Sequence, residues 1–563
     1  MTKFALSVKV LRYDPSEGET PHYATYTVSR RETMSLLEVL EEIYLQDPTL
    51  TFSYSCRTGK CGTCTVRLDG KPVLACRQPV EDKTELVVEP IASFPVYKDL
   101  LVDRDRFNVS VRESLPDRET SQKPKAESRA AIRESVIPYQ ALTNCNSCLS
   151  CDSLCPVRKA VPDLYPGPAT TAMIAGPGSR TLSSRGESVG APVGSSIDYC
   201  AFCLNCDDAC PWDVPFHRLN AVAKQAYLTE RGWDLHDEIT GRIGELGKIM
   251  SHVPGAGAIQ RSEIAKALME WFLDFDRHIE LPPFKRDLWI RDHYAVYRGD
   301  GSRVAFFVGC FGRYIDPELG KATIEVLKRN RVLVTVPKQQ CCGMPPLSKG
   351  RLTETRKMAE HNVRSLRSFV EQGYDIVASC TSCSWMLKKG YPDTLQLDDA
   401  SDIAARTYDL GEYLLGLKNS GLLDTDFKRT NLSLAYHTPC HLRSQEIGRP
   451  FLEILGSIPG ITLTDATRPC CGLSGTYGFK KNKYGIAMTV GRELFEAIKA
   501  SGADHVVSEC GMCRTQITHG TALNTSHPIK IIHAAYGASD FPLRLGTNRS
   551  GHHSTLATGS RPV

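Results

Sequence analysis

Gln340-Cys341-Cys342-Gly343-Met344 recurs as Pro469-Cys470-Cys471-Gly472-Leu473, and the sequence around each cysteine pair recurs with it. Val304-Ala305-Phe306-Phe307-Val308-Gly309-Cys310 precedes the first pair. Leu432-Ser433-Leu434-Ala435-Tyr436-His437-Thr438-Pro439-Cys440 precedes the second, so each time a strand-like run ends in a cysteine. Beyond the pairs, Asp375-Ile376-Val377-Ala378-Ser379-Cys380 matches Asp504-His505-Val506-Val507-Ser508-Glu509-Cys510, with Cys383 and Cys513 close behind. Self-similarity of this kind marks a duplicated unit. Both copies alternate strands with amphipathic helices, so residues 300–537 are expected to form a duplicated α/β module with pseudo-twofold symmetry.

Working outward, all 22 cysteines of the 563-residue chain fall into five sets. The duplicated unit holds two: Cys310, Cys341, Cys342, Cys380, Cys383 and Cys440, Cys470, Cys471, Cys510, Cys513. Upstream lie Cys56, Cys61, Cys64 and Cys76, then Cys145, Cys148, Cys151 and Cys155, then Cys200, Cys203, Cys206 and Cys210. Thiolates at short fixed spacings wrap small iron–sulfur cores. C-x4-C-x2-C with a distant fourth cysteine is the plant-type [2Fe–2S] spacing, and it is not a usual zinc-ribbon spacing. Gly59 and Gly62 are expected to let that loop turn its N–H groups toward sulfur.

The two C-x2-C-x2-C-x3-C-P runs are of the bacterial ferredoxin kind, in which the fourth cysteine crosses to the other cluster. One [4Fe–4S] cluster is therefore expected on Cys145, Cys148, Cys151 and Cys210, and a second on Cys200, Cys203, Cys206 and Cys155. In the duplicated unit, adjacent cysteines do not readily pair with each other but can grip two irons of a larger core; zinc or a redox disulfide is the alternative there. His437 and His441 flank Cys440. Either could give a proton to a leaving thiolate, and a hydrogen bond that merely orients the loop reads equally well, so neither is assigned a catalytic role.

Residues 1–111 are expected to form a β-rich [2Fe–2S] domain with one helix. Phe4, Leu6, Val8 and Val10 alternate as a strand; Leu36, Val39, Leu40 and Ile43 follow a helical period behind a Ser35/Glu38 capping box. Thr65–Leu68, Asp69-Gly70 and Pro72–Ala75 read as a hairpin that returns Cys76 to its set. Residues 112–134 read as a linker, and 135–299 as a helical domain with two [4Fe–4S] clusters, in which Leu219, Val222, Ala223, Ala226 and Tyr227 form one apolar stripe. The interval 156–198, rich in Gly, Pro and Ser, is expected to be mostly loop, and the tail 538–563 to be disordered.

A net charge of +4 gives no argument for nucleic acid as a partner. The N-terminus lacks the apolar core of a signal peptide, and no apolar run of about 18 residues is present. Free thiols grouped as C-x-x-C suit a reducing compartment, so a cytoplasmic location is expected, with any membrane contact at its inner face made through a partner. No G-x-G-x-x-G follows a strand, so no flavin is expected on this chain.

The first 235 or so residues resemble the iron–sulfur subunit of succinate dehydrogenases and fumarate reductases, on Ser55–Cys64, Leu74-Ala75-Cys76 and Tyr165-Pro166-Gly167-Pro168-Ala169. The resemblance implies a β-grasp ferredoxin domain, a helical two-cluster domain and an FAD-containing flavoprotein partner. In most of that family a non-cysteine residue stands at the position of Cys203, giving a [3Fe–4S] cluster. A cysteine there supplies the missing ligand, and the family's quinone site beside that cluster is no longer implied. The C-terminal half is similar to the paired-cysteine CCG domains of heterodisulfide reductase catalytic subunits, with a slightly shorter spacing before each pair. This implies two noncubane [4Fe–4S] clusters with disulfide chemistry between them. The two halves together resemble the iron–sulfur subunits of thiol:fumarate reductases, in which oxidation of two thiols supplies the electrons that reduce fumarate to succinate. The rival expectation is a non-catalytic relay from a flavoprotein dehydrogenase to a quinone-reactive membrane partner.

Overall fold

The computed structural model describes residues 4–80, 83–114, 140–173, 196–285 and 301–537. At the N-terminus, β1 (Phe4–Arg12) pairs antiparallel with β2 (His22–Arg30), and Leu6, Val8 and Val10 are fully buried on one face. Helix Leu36–Gln46 packs that face. Its start is closed by the expected capping box: Ser35 N–H donates to Glu38 Oε2 at 2.7 Å, and Glu38 N–H to Ser35 Oγ at 3.3 Å. β3 (Thr65–Leu68) and β4 (Lys71–Leu74) form the expected hairpin, with Asp69 and Gly70 both at positive φ as a tight Asp-Gly turn requires. β5 (Glu85–Glu89) completes a five-stranded sheet in the order β2-β1-β5-β3-β4, and β6 (Val96–Lys98) with β7 (Leu101–Val102) adds a short ribbon.

The boundary expected at 111 falls inside helix Asp105–Ser114, so the linker reading does not hold for 112–114. Phe107 of that helix is buried in one apolar cluster with Leu149 and Cys151 of the next cysteine run. The rest of the linker, and the tail from 538, lie outside the described residues. In the middle region the regular elements are helical, among them Pro156–Ala160, Phe216–Arg231, Leu235–Gly241 and Glu263–Leu273. Where 156–198 is described it is less loop-like than expected: Cys155 caps a short helix whose first residue is Pro156, a residue already set for that position. Leu219 and Ala223 of the expected stripe are buried.

The C-terminal half holds two four-stranded parallel sheets. Strands β8 (Arg303–Phe307), β9 (Leu333–Thr335), β10 (Asp375–Ala378) and β11 (Thr407–Asp409) lie in the order β11-β10-β8-β9. β12 (Leu432–Tyr436), β13 (Ile461–Asp465), β14 (His505–Val507) and β15 (Thr525–Ser526) repeat it as β13-β12-β14-β15. In each sheet the chain reverses its winding direction between the first and third strands, which leaves a crevice at their C-terminal ends. The two copies share one core, in which Val304, Phe306 and Val377 join Leu434, Tyr436 and Val507. Asp316 of the first copy accepts from Arg514 Nη1 at 3.0 Å and from Lys530 Nζ at 2.5 Å of the second.

Candidate metal centres

The loop carrying Cys56, Cys61 and Cys64 aims main-chain donors at sulfur. Gly59 N–H donates to Cys76 Sγ at 3.2 Å, Cys61 N–H to Cys56 Sγ at 3.3 Å and Cys56 N–H to Cys61 Sγ at 3.5 Å. The N–H and then the hydroxyl of Thr58 hold the Cys56 thiol down to about 6. Donors of this kind stabilise a thiolate, the form that binds iron. Gly62 has a different role from the one expected. A Cβ there would sit 2.8 Å from both the Asn146 carbonyl and Cys148 Cα, so glycine is needed where this loop docks on the next.

The two four-cysteine runs follow one backbone path. Ser147 and Leu149 in the first, and Phe202 and Leu204 in the second, all take positive φ, a conformation unusual for such side chains. A short helix follows each, Ser150–Ser153 and Asn205–Asp208. Cys155, Cys200, Cys203 and Cys206 line one cavity of about 20 Å³. Cys210, outside that cavity, packs in one cluster with Cys145, Cys151 and Cys206, and the charge of Cys148 acts on it. Donors reach these sulfurs too: Val214 N–H to Cys210 at 3.4 Å, Arg158 N–H to Cys155 at 3.5 Å and Asn220 Nδ2 to Cys200 at 3.5 Å. Burial pushes the Cys151, Cys155 and Cys206 thiols well above their ordinary value. Thiols so placed ionise when a cation shares the site.

In the duplicated module, Cys310 and Cys380 follow β8 and β10, and Cys440 and Cys510 follow β12 and β14, at the mouth of each crevice. Cys310 Sγ lies 3.7 Å from Cys341 Sγ, Cys342 contacts Cys383, and Cys471 contacts Cys513. Gly343 and Gly472 turn each pair inward at φ near +90°; a Cβ on Gly472 would fall 1.9 Å from the Ala487 carbonyl oxygen. A cavity of about 130 Å³ lies between the copies, lined by Cys310, Cys342 and Cys380 from one and Cys440, Cys471 and Cys510 from the other. Among the described residues no three His, Cys, Asp or Glu side chains close on one point as ligands of a single ion do.

His441 borders that cavity with both ring nitrogens engaged. Nε2 meets the Phe202 carbonyl at 3.0 Å, so it donates, and Nδ1 accepts from Ser382 Oγ at 2.8 Å. Burial lowers its proton affinity, which makes it a neutral orienting group in this arrangement. His437 is buried, its ring nitrogens have no partner among the described residues, and burial pushes it down to about 3.

The five sets lie near one another in series. Cys148 packs into the N-terminal core with Cys64 and Cys76, and Cys151 is among the groups acting on Cys206. The Cys203 thiol contacts that of Cys470, and Cys510 faces Cys380 across the module. Residues that sequence reasoning missed hold these joints. Asn220 and Lys224, on the helix read only for its apolar stripe, both reach Cys200: Lys224 Nζ donates to its carbonyl at 2.9 Å. Arg104 and Arg443 do similar work at two other joints. The one available signal was an i, i+4 polar pair on the flank of the apolar stripe.

The family "2Fe-2S iron-sulfur cluster binding domain" matches residues 7–109, and "Cysteine-rich domain" matches residues 304–388 and 434–518. A subunit of the fumarate reductase (CoM/CoB) of Methanothermobacter marburgensis is 31% identical over 526 residues, covering 91% of this chain and 94% of that protein. The chain belongs to the family of that fumarate reductase (CoM/CoB) subunit. A further relative, a subunit of the anaerobic glycerol-3-phosphate dehydrogenase of Escherichia coli, is 33% identical over 397 residues, covering 69% of this chain and 97% of that protein. A hypothetical protein from Helicobacter pylori shares the fold, with a TM-score of 0.52 at 12% identity over 96% of each chain. Membership makes the chain an iron–sulfur oxidoreductase subunit that carries a [2Fe–2S] cluster with further iron–sulfur clusters and works with a partner subunit. No helix among the described residues is long and apolar enough to cross a membrane.

Proposed function

We propose that this chain carries electrons between a thiol/heterodisulfide site in the duplicated module and an FAD flavoprotein that interconverts fumarate and succinate. The observation that carries the reading is the unbroken order of thiol neighbours, from Cys64 through Cys148, Cys151, Cys206, Cys203 and Cys470 to Cys510 and Cys380. All 22 cysteines are the ligands in this reading. Cys56, Cys61, Cys64 and Cys76 hold a [2Fe–2S] cluster in a β-grasp domain, and the crossed ferredoxin sets hold two [4Fe–4S] clusters. The five-cysteine sets hold two noncubane [4Fe–4S] clusters. Bound clusters supply one-electron carriers; the protein holds them in line and keeps water from them. Two thiols that become one disulfide release two electrons and two protons, the number fumarate takes up to become succinate. We keep the division at 1–111, 135–299 and 300–537, with the first boundary moved to the end of helix Asp105–Ser114, and place the chain in the cytoplasm.

The test uses the chain with its co-purified flavoprotein, prepared without oxygen. Cys342→Ser or Cys471→Ser should abolish thiol-dependent fumarate reduction, because serine is a poorer ligand for iron in such clusters. Reduction driven by an artificial one-electron donor should persist. A wild-type complex that ignores every thiol pair but turns over with a quinol overturns the reading. That result would instead support a relay to a quinone-reactive membrane partner, a reading favoured by the likeness to the glycerol-3-phosphate dehydrogenase subunit over 97% of its length.

A further inference from the structure

Three cations sit where one cysteine loop meets the next, and each bonds to both loops. Arg104 Nη1 donates to the Gly62 carbonyl of the first loop at 2.9 Å, while Nη2 donates to the Ser147 and Cys148 carbonyls of the second, both at 2.9 Å. Lys224, 3% exposed, donates to Cys200 O at 2.9 Å and to Ser348 O, just beyond the first cysteine pair, at 3.0 Å. Arg443 Nη2 donates to Asn205 Oδ1, between Cys203 and Cys206, and to the carbonyl of Pro469, next to Cys470, both at 2.6 Å.

The joints are built closely around these side chains. A Cβ on Gly350 would lie 2.6 Å from Lys224 Cβ, and Asn205 Nδ2 itself donates to the Pro469 carbonyl at 3.3 Å. Among the described residues none of the three cations is in an ion pair with a carboxylate. Each therefore brings a positive charge that no paired carboxylate cancels to a place where two sets of thiolates meet. A fixed cation beside a cluster favours its reduced, more negative form and raises its reduction potential.

We propose that Arg104, Lys224 and Arg443 are positioning residues of the electron path, each holding two neighbouring cluster loops together and raising the reduction potential of the clusters on either side. The proposal rests on the reading that the five cysteine sets hold clusters, and it adds which residues tune them. Arg104 acts on the [2Fe–2S] cluster and the Cys145 set, Lys224 on the Cys200 set and the first five-cysteine set, and Arg443 on the Cys200 set and the second.

The test is a potentiometric titration followed by electron paramagnetic resonance on the full chain, purified without oxygen, with iron counted in each sample. Arg104→Gln, Lys224→Gln and Arg443→Gln keep a donor but remove the charge. Each should move only its two flanking clusters to lower potential, while Arg104→Lys, Lys224→Arg and Arg443→Lys leave them in place. A glutamine variant that loses a flanking cluster which the charged variant retains supports the same role. Full iron with unmoved potentials, or an equal shift in every cluster, overturns the proposal, and so does cluster loss from the charged variants as well. Failure of the underlying reading looks different: the unsubstituted chain would then lack one or more of the five signals.

Discussion

Lys349 Nζ lies 2.5 Å from Asp237 Oδ1, with both side chains almost fully buried. Asp237 belongs to the helical region and Lys349 to the first copy of the module. Its other oxygen, Oδ2, lies 3.4 Å from Lys480 of the second copy. One carboxylate thus ties both copies to the domain that carries the ferredoxin-type runs.

Asp237→Ala leaves the buried Lys349 ammonium facing a gap, while Lys480 keeps its bond to Asp234, and is expected to cost about 3–5 kcal/mol. Denaturant unfolding of the variant and the unsubstituted chain under identical conditions measures it. A loss below about 1 kcal/mol would show that Asp237 is not a staple between the domains.

The same carboxylate gives a pH dependence. Burial opposes ionisation of Asp237, but Lys349 and Lys480 outweigh it and hold its carboxyl well below the ordinary range; Arg514 and Lys530 do the same for Asp316. A carboxyl depressed in the folded state stabilises fully above its unfolded value of about 4, and that contribution is lost as pH falls toward the folded value. Stability should therefore drop below about pH 4. Asp237→Asn and Asp316→Asn should each flatten that drop, which an unfolding series from about pH 6 to about pH 3 would read.

Cys203→Ala should convert the cluster on Cys155, Cys200 and Cys206 to a three-iron form, because three ligands remain for four irons. Electron paramagnetic resonance of the oxidised protein should show a new [3Fe–4S] signal. An unchanged spectrum removes Cys203 from the ligand set.

Iron content separates the halves. The intact chain should hold about 18 irons, and a count near ten would confine the clusters to the N-terminal half. Gly472→Ala drives a methyl into the Ala487 carbonyl at a φ of +92° and should cost about four irons from the second five-cysteine set. Gly343→Ala meets the Thr355 methyl at 2.9 Å, a contact a side-chain rotation can relieve, so its loss should be smaller.

Much of the architecture was legible because it is local or repeated. Alternation in Phe4–Val10, the Ser35/Glu38 capping box and the Asp69-Gly70 turn each carry their own signal, and the duplication announces itself at Cys341-Cys342 and Cys470-Cys471. The joints were not legible. Lys224 and Asn220 flank the apolar stripe as polar residues with no partner in their own helix, and the Cys200 and Ser348 loops that bury them are distant in sequence. Asp237, Lys349 and Lys480 are far apart in the chain, and nothing in their neighbours marks them as partners. The left-handed Phe202 and Leu204 were hidden for a different reason: apolar residues rarely signal that conformation, and here the winding of the cysteine loop imposes it.

The contact between Cys203 and Cys470 makes the two copies unequal in consequence, however alike their sheets. The second copy meets the helical domain through that pair of thiols, while the first meets it through packing, with Gly244 against Cys341 and Phe202 beside Cys342 and Cys383. Loss of the Cys471 site should then remove the set next to Cys203, whereas loss of the Cys342 site leaves that neighbour in place, although either loss stops the thiol reaction. Duplication doubled the places where sulfur chemistry can be held, and it gave each copy its own way of meeting the helical domain.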